Sequence, residues 1–188
     1  MGLACPPMPR PRNQLTAGEW AILALLDEEP AHGFALARAM ATGGEVGRVW
    51  DMRRPLVYRA LETLQRLALI TPVATLRSES GPQRTIFEPT TEGRRLLAEW
   101  LKQPVEHVRD ARSLLMLKLL FLSRRDGDPA PLLRAQREQF ATLARRLAGA
   151  ADAAEGFERG LLLWRLHSTT AAVQFTEAML AEPTLTEP

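Results

Sequence analysis

A short amphipathic segment followed by a hairpin pattern constrains the fold of this chain more than any other feature. From residue 53 onward, apolar side chains fall at 57, 60, 61, 64, 67 and 68, which is the spacing of one helical face. The residues off that face are Arg54, Tyr58, Arg59, Thr63 and Arg66. Such a helix is suited to the major groove of DNA, although an ordinary surface helix can also carry a solvated basic face.

A hairpin pattern follows this helix and favours the first of those two interpretations. Residues 72–76 and 85–88 have the composition of two strands, and residues 77–84 between them are rich in serine, glycine and proline. Arg77 and Arg84 lie near the two ends of the predicted loop. We therefore expect a helix and a hairpin that expose arginine side by side.

Two further helices are predicted before the amphipathic one. Thr16 and Glu19 have the spacing of a capping box and predict a helix over 17–27. A second short helix is predicted over 34–40, and Gly33 at its start suggests a close approach by a neighbouring element. A fourth helix is predicted from Thr90 to about Leu101. The order of three helices and a hairpin is that of a winged helix-turn-helix domain, whose third helix enters the major groove.

The second half of the chain is predicted to be all helical. Helices are expected over 109–122, 132–147 and 157–180, with an alanine-rich break at 149–156. The first of them is apolar around most of its circumference and must therefore be buried against other helices. We interpret the three as a dimerisation bundle, because a two-fold symmetric protein matches a palindromic DNA site. The alternative is a monomeric bundle packed on the first half.

The distribution of charge is more informative than its total. The formal net charge is only +2, yet residues 46–84 hold seven arginines against three acidic residues, a local net charge of +4. A concentrated positive surface of this kind is what a polyanion requires. A helical protein-interaction module without direct DNA binding is the rival interpretation, but protein docking would not require this patch.

Several other functions are disfavoured by the residues that the chain contains. Its single cysteine, Cys5, excludes an internal disulfide and a cysteine-based zinc cluster and favours a cytoplasmic protein. No apolar run is long enough to span a membrane. The sequence contains no G-x-S-x-G, P-loop or G-x-G-x-x-G motif, so we expect no enzymatic activity and no cofactor. The three histidines share no close ligand spacing, so we expect no metal.

Ordered local motifs resemble the PadR family of transcriptional regulators from Leu15 to Pro104. The matching segments are 15–26 with His32-Gly33-Phe34, 56–64, 87–94 and Trp100-Leu101 with Pro104. The chain departs from the family pattern at Arg53, which replaces a helix-capping serine, so that Asp51 could be the cap or the helix start could shift. It also has Phe87 in place of a tyrosine, and Pro89 in place of a leucine, which would shorten the second wing strand. A MarR-type winged-helix regulator is a near alternative.

The resemblance implies a mainly α protein that is a homodimeric repressor of a palindromic operator, released from double-stranded DNA by a small aromatic or drug-like effector. Together with the proline- and arginine-rich composition of the N-terminus, it divides the chain into a disordered tail (1–14), a winged helix-turn-helix domain with a two-stranded wing (15–104), a helical dimerisation and effector-sensing domain (105–182) and a second tail (183–188). The candidate DNA contacts are Arg53, Arg54, Tyr58, Arg59, Arg77 and Arg84. The candidate effector-pocket residues are Trp50, Trp100, His107, Phe121, Trp164 and His167.

Overall fold

The computed structural model describes residues 15–76 and 83–182, so the two predicted tails and Arg77 lie outside the described residues. In chain order the elements are α1 (Ala17–Glu28), β1 (Ala31–His32), α2 (Gly33–Ala39), α3 (Arg54–Arg66), β2 (Ile70–Leu76), β3 (Arg84–Pro89), α4 (Thr91–Lys102), a 3-10 turn (Val108–Asp110), a π-helical turn (Ala111–Leu115), α5 (Met116–Ser123), α6 (Ala130–Asp152) and α7 (Gly156–Ala181). The chain divides between Leu97 and Ala98 into two compact units, called here the N-terminal and C-terminal units. The N-terminal unit has the predicted winged helix-turn-helix order.

Helix α1 is the centre of the N-terminal unit. The predicted capping box is confirmed, because the Thr16 N–H donates to Glu19 Oε2 at 2.7 Å and the Glu19 N–H donates to Thr16 Oγ1 at 3.3 Å. Every residue from Trp20 to Leu26 is buried, so α1 has no solvated stripe. A helix enclosed in this way gives the outer elements a common support, and α3 packs directly against it.

The sheet contains a short strand that the sequence interpretation missed. Its strand order is β1-β3-β2, with both pairs antiparallel, so β1 adds a third strand to the predicted two-stranded wing. The pairing shifts between Pro72 and Ala74, as expected where a proline lacks the N–H that a ladder needs. The expectation that Pro89 shortens the second wing strand is wrong. Strand β1 pairs with β3 only as far as Phe87, so the N–H group that Pro89 lacks is not needed for a hydrogen bond to β1, and β3 continues to Pro89.

Helix α3 begins without a side-chain cap. Arg53 occupies the N-cap position and makes no capping hydrogen bond, and Pro55 lies in the first turn, where a missing N–H is tolerated. The expectation that Asp51 caps this helix is wrong, because its carboxylate instead accepts a hydrogen bond from Thr42 Oγ1 at 3.3 Å. The first turn is closed by the backbone alone, because the N–H groups of Leu56 and Val57 donate to the Arg53 carbonyl at 2.9 and 3.4 Å.

The C-terminal unit is entirely helical in its described part. The segment predicted as one helix over 109–122 is a 3-10 turn, a π-helical turn and α5 in succession. The predicted break at 149–156 is wrong at its start, since α6 continues through Gly149 to Asp152. Alanine is the best helix former and offsets the propensity cost of a single glycine. Helices α6 and α7 pack against each other along much of their length.

Two buried polar side chains stabilise the loop between α4 and α5. Gln136 Nε2 donates to the Val105 carbonyl at 3.0 Å, and Gln136 Oε1 accepts from the Val105 N–H at 2.6 Å. Lys118, only 2% exposed, donates from Nζ to the carbonyls of Trp100 and Gln103, each at 2.5 Å. Burial lowers the pKa of Lys118 from 10.5 to about 8. The two side chains thus hydrogen-bond to buried backbone groups of this loop and of the last turn of α4.

Candidate nucleic-acid interface

The predicted close approach at Gly33 is observed, and the neighbour is Tyr58. A Cβ atom at Gly33 would lie 2.7 Å from Tyr58 Cε1, so only glycine lets the ring of Tyr58 reach the start of α2 without displacement. Tyr58 nevertheless remains 39% exposed. The junction of α2 and α3 thus holds the tyrosine in a defined place while leaving part of its ring open to solvent.

Phe34, in the first turn of α2, lies beside the guanidinium groups of two arginines. The Cζ atom of Arg54, from α3, is 5.3 Å from the centroid of the Phe34 ring, and the Cζ atom of Arg84, from β3, is 5.7 Å from it. The same Arg54 atom is also 5.7 Å from the Tyr58 ring centroid. These are cation–π distances, and they place the charges of α3 and of the wing near one aromatic ring.

A cavity of about 500 Å³ opens between α3 and β3 at this place. Arginine, tyrosine and phenylalanine side chains share its wall with His32, Glu62, Gln65 and Gln83. His32 Nδ1 accepts a hydrogen bond from the Ala35 N–H at 3.0 Å, so its ring proton belongs to Nε2 and remains available as a donor. The cavity therefore combines cationic, aromatic and hydrogen-bonding groups in one concave surface.

The arginines of this surface have no carboxylate partner among the described residues. Across residues 15–76 and 83–182, none of the exposed arginines Arg53, Arg54, Arg59 and Arg84 forms an ion pair with a carboxylate. On α4, in contrast, Arg94 pairs with Asp27 at 2.6 Å and Arg95 with Glu92 at 2.8 Å. Unneutralised guanidinium groups on one surface can receive phosphate oxygens in bidentate geometry.

The six residues predicted to line an effector pocket have varied environments. Trp100 and Phe121 are buried, whereas Trp50, His107, Trp164 and His167 are exposed. Trp100 lies under a cation, since Lys118 Nζ is 4.7 Å from its ring. None of the six lines the cavity between α3 and β3, and the effector pocket remains a prediction.

Phe34 is the residue of this surface that the sequence interpretation missed. The sequence predicted it as the start of the second helix and as part of a family-like segment, but not as a DNA contact, although an aromatic residue directly after His32-Gly33 was a usable signal. A second cavity, of about 370 Å³, is lined by Phe34 and Arg54 together with Arg38, Thr42 and Arg53.

In the described part of the chain no cluster of three histidine, cysteine or acidic residues could hold a metal ion. None of the helices described is long and apolar enough to cross a membrane.

Residues 22–99 match the model of the family described as the transcriptional regulator PadR-like family. This segment contains α3, the wing and Phe34, and it ends within α4. No curated protein matches the chain significantly in sequence.

Among the solved structures to which the chain is similar are two complexes of one protein and a virulence activator. Bacillus subtilis PadR in complex with operator DNA is 24% identical, with a TM-score of 0.42 over 87% of this chain and 97% of that chain. The same protein in complex with p-coumaric acid is 24% identical, with a TM-score of 0.39 over 88% and 98%. The Vibrio cholerae virulence activator AphA is 23% identical, with a TM-score of 0.40 over 87% and 96%. Similarities of this size assign no ligand, partner or residue role to this chain.

Proposed function

We propose that the chain binds a specific DNA sequence through α3 and the wing, since residues 22–99 match the family model of PadR-like transcriptional regulators. The proposal extends to a homodimer that represses transcription at a palindromic operator and is released by a small aromatic or drug-like compound. The observation that carries DNA binding is the set of exposed arginines without carboxylate partners among the described residues of α3 and β3.

Each residue of the proposed interface has a role that follows from its chemistry. Arg54 and Arg84, which line the cavity from α3 and from β3, are proposed to contact phosphates of the DNA backbone. Arg53, the N-cap residue of α3, and Arg59, within the helix, are exposed and can meet phosphates or the O6 and N7 atoms of guanine. Tyr58 can donate its hydroxyl proton to a phosphate, and Arg77, beyond the described residues, is proposed as a contact of the wing loop.

Dimerisation is proposed through the C-terminal unit. On α7, Phe157 is 87% exposed and Trp164 is 72% exposed. The two residues are seven positions apart, which places them two turns apart on one side of the helix. Large apolar side chains exposed at this level usually mark an interaction surface, and a second copy of the chain is the partner that a palindromic operator calls for.

Effector release is proposed from the resemblance of residues 15–104 to the PadR family. Candidate residues are the six named above, and four tryptophans in the chain provide an intrinsic fluorescence signal. Displacement of labelled DNA by a panel of aromatic acids and planar cations would test this part separately. No displacement by any compound, with DNA binding intact, would contradict effector release alone.

The main experiment measures fluorescence anisotropy of labelled DNA from upstream of the protein's own gene, beside random duplex, from about 50 to 200 mM salt. We expect tighter binding to the upstream DNA with a steep salt dependence. Arg54→Ala should weaken all duplexes similarly and lower the salt slope by about one. The matched control is Arg95→Ala, because this arginine is already paired with Glu92 and should leave the slope unchanged.

The outcomes separate the parts of the proposal. Binding at low salt that is lost in a Tyr58→Ala/Arg54→Ala variant would support α3 as the DNA-contacting helix. Equal affinity for upstream and random DNA calls for a selection from a randomised duplex library, which finds a distant operator if one exists. Absence of binding to every duplex at low salt would reject DNA binding and leave the protein-interaction module.

A further inference from the structure

We infer that Phe34 is a positioning residue of the DNA interface: its ring holds the guanidinium groups of Arg54 and Arg84, so that α3 and the wing engage the same stretch of DNA backbone. This inference rests on the proposed function and deepens it. Neither the periodicity of α3 nor the composition of the wing predicts it, because the three residues belong to three separate elements.

The Phe34 ring brings together one arginine of α3 and one arginine of β3, whose positions would otherwise be independent of each other. The guanidinium carbons lie 5.3 and 5.7 Å from one ring centroid, so they can be no more than 11.0 Å apart. Among residues 15–76 and 83–182, neither arginine has a carboxylate that could hold it in place. The aromatic ring is therefore the contact that orients both groups while leaving their N–H donors unused.

The exposure of Phe34 supports a role in binding over a role in the core. The residue is 44% exposed, although a phenylalanine in the core would be buried. Together with Arg54, it lines both the cavity between α3 and β3 and the second cavity beside α2. A long arginine side chain loses much rotamer freedom when it binds, and stacking on a fixed ring removes part of that loss beforehand.

If Phe34 acts by orienting the two arginines, its effect on DNA binding should depend on them, whereas a direct contact between Phe34 and DNA would act without them. Replacing Phe34 by an aliphatic residue should weaken binding only while the arginines are present. Two cation–π contacts at an exposed site correspond to between about 5- and 30-fold in affinity. If both phosphate contacts loosen, the salt slope should also fall by between about one and two.

The experiment measures anisotropy and salt slope for six full-length proteins on one duplex: the wild type, Phe34→Leu, Phe34→Met, Phe34→Tyr, Arg54→Ala/Arg84→Ala, and that double variant combined with Phe34→Leu. Leucine and methionine keep an apolar side chain and remove the π face, whereas tyrosine keeps the ring. Thermal melting of each protein confirms that it is folded before binding is compared.

We expect weaker binding and a smaller slope for Phe34→Leu and Phe34→Met, wild-type behaviour for Phe34→Tyr, and no further loss when Phe34→Leu is added to the double arginine variant. A further loss in that background would overturn the inference, because Phe34 would then act on DNA by itself. Wild-type affinity of Phe34→Leu would also overturn it while leaving DNA binding intact. A wild type that binds no duplex would instead reject the proposed function, and the inference with it.

Discussion

The buried ammonium group of Lys118 makes a pH-dependent prediction that does not involve DNA. Its Nζ atom donates to the carbonyls of Trp100 and Gln103 and lies 4.7 Å from the Trp100 ring. Burial lowers its pKa from 10.5 to about 8. The perturbation is Lys118→Met, which keeps an unbranched side chain of similar length and removes the titrating group.

The direction in which the free energy of unfolding changes with pH follows from proton binding by Lys118 in the folded and unfolded states. Between pH 8 and 10.5 the folded protein holds fewer protons on Lys118 than the unfolded chain, so its free energy of unfolding rises with pH in this window. Below about pH 8 the cost of burying the charge is fully present, and above about pH 10.5 it is absent. A lowering of the pKa from 10.5 to about 8 corresponds to roughly 3 kcal/mol.

The assay compares urea denaturation of the wild type and of Lys118→Met at matched protein concentration from about pH 7 to pH 10.5. We expect the difference in free energy of unfolding to shift by roughly 3 kcal/mol in favour of the wild type across this range. The chain has only two lysines, the other being the exposed Lys102, so NMR of labelled lysine gives each midpoint separately. Parallel stability curves, or a Lys118 midpoint at the usual lysine value of 10.5, would refute the reasoning.

Two substitutions test the geometry of the N-terminal unit. Gly33→Ala places a Cβ 2.7 Å from Tyr58 Cε1 and should displace the ring, weakening DNA binding by about 2- to 12-fold, the equivalent of one lost hydrogen bond. Gly149→Ala, whose Cβ meets nothing within 4 Å, is its control, and equal DNA affinities of the two variants would contradict the expectation. Ala68 has φ of 56°, so Ala68→Gly should raise the free energy of unfolding by about 0.5–1 kcal/mol in urea denaturation, whereas a decrease would argue against backbone strain at this position.

Features that depend on neighbours in sequence were predictable from residues alone. The capping box at Thr16 and Glu19 and the apolar stripe of α3 use side chains three or four positions apart, which a helix brings together wherever it lies. The hairpin was visible for the same reason, because turn residues separate two short β-type runs. Order and element type then indicated the winged helix-turn-helix arrangement.

Helix ends were less predictable, since they depend on competition between weak local signals. Helix α6 continues beyond Gly149 because the neighbouring alanines favour a helix. The first turn of α3 has no side-chain cap, although Asp51 lies two residues before Arg53. The strand β1 is only two residues long and exists because β3 offers it an edge. A segment of this length has no period of its own to detect.

By itself the sequence determined where the helices and the hairpin lie, which face of α3 is apolar, and that positive charge is concentrated between residues 46 and 84. Only the tertiary structure decided that Phe34 meets Arg54 and Arg84, that Gly33 admits Tyr58, and that Lys118 is buried under α4. The physical reason is that secondary structure follows from local spacing and propensity. Contacts between residues 15 to 50 positions apart arise only when packed elements bring them together.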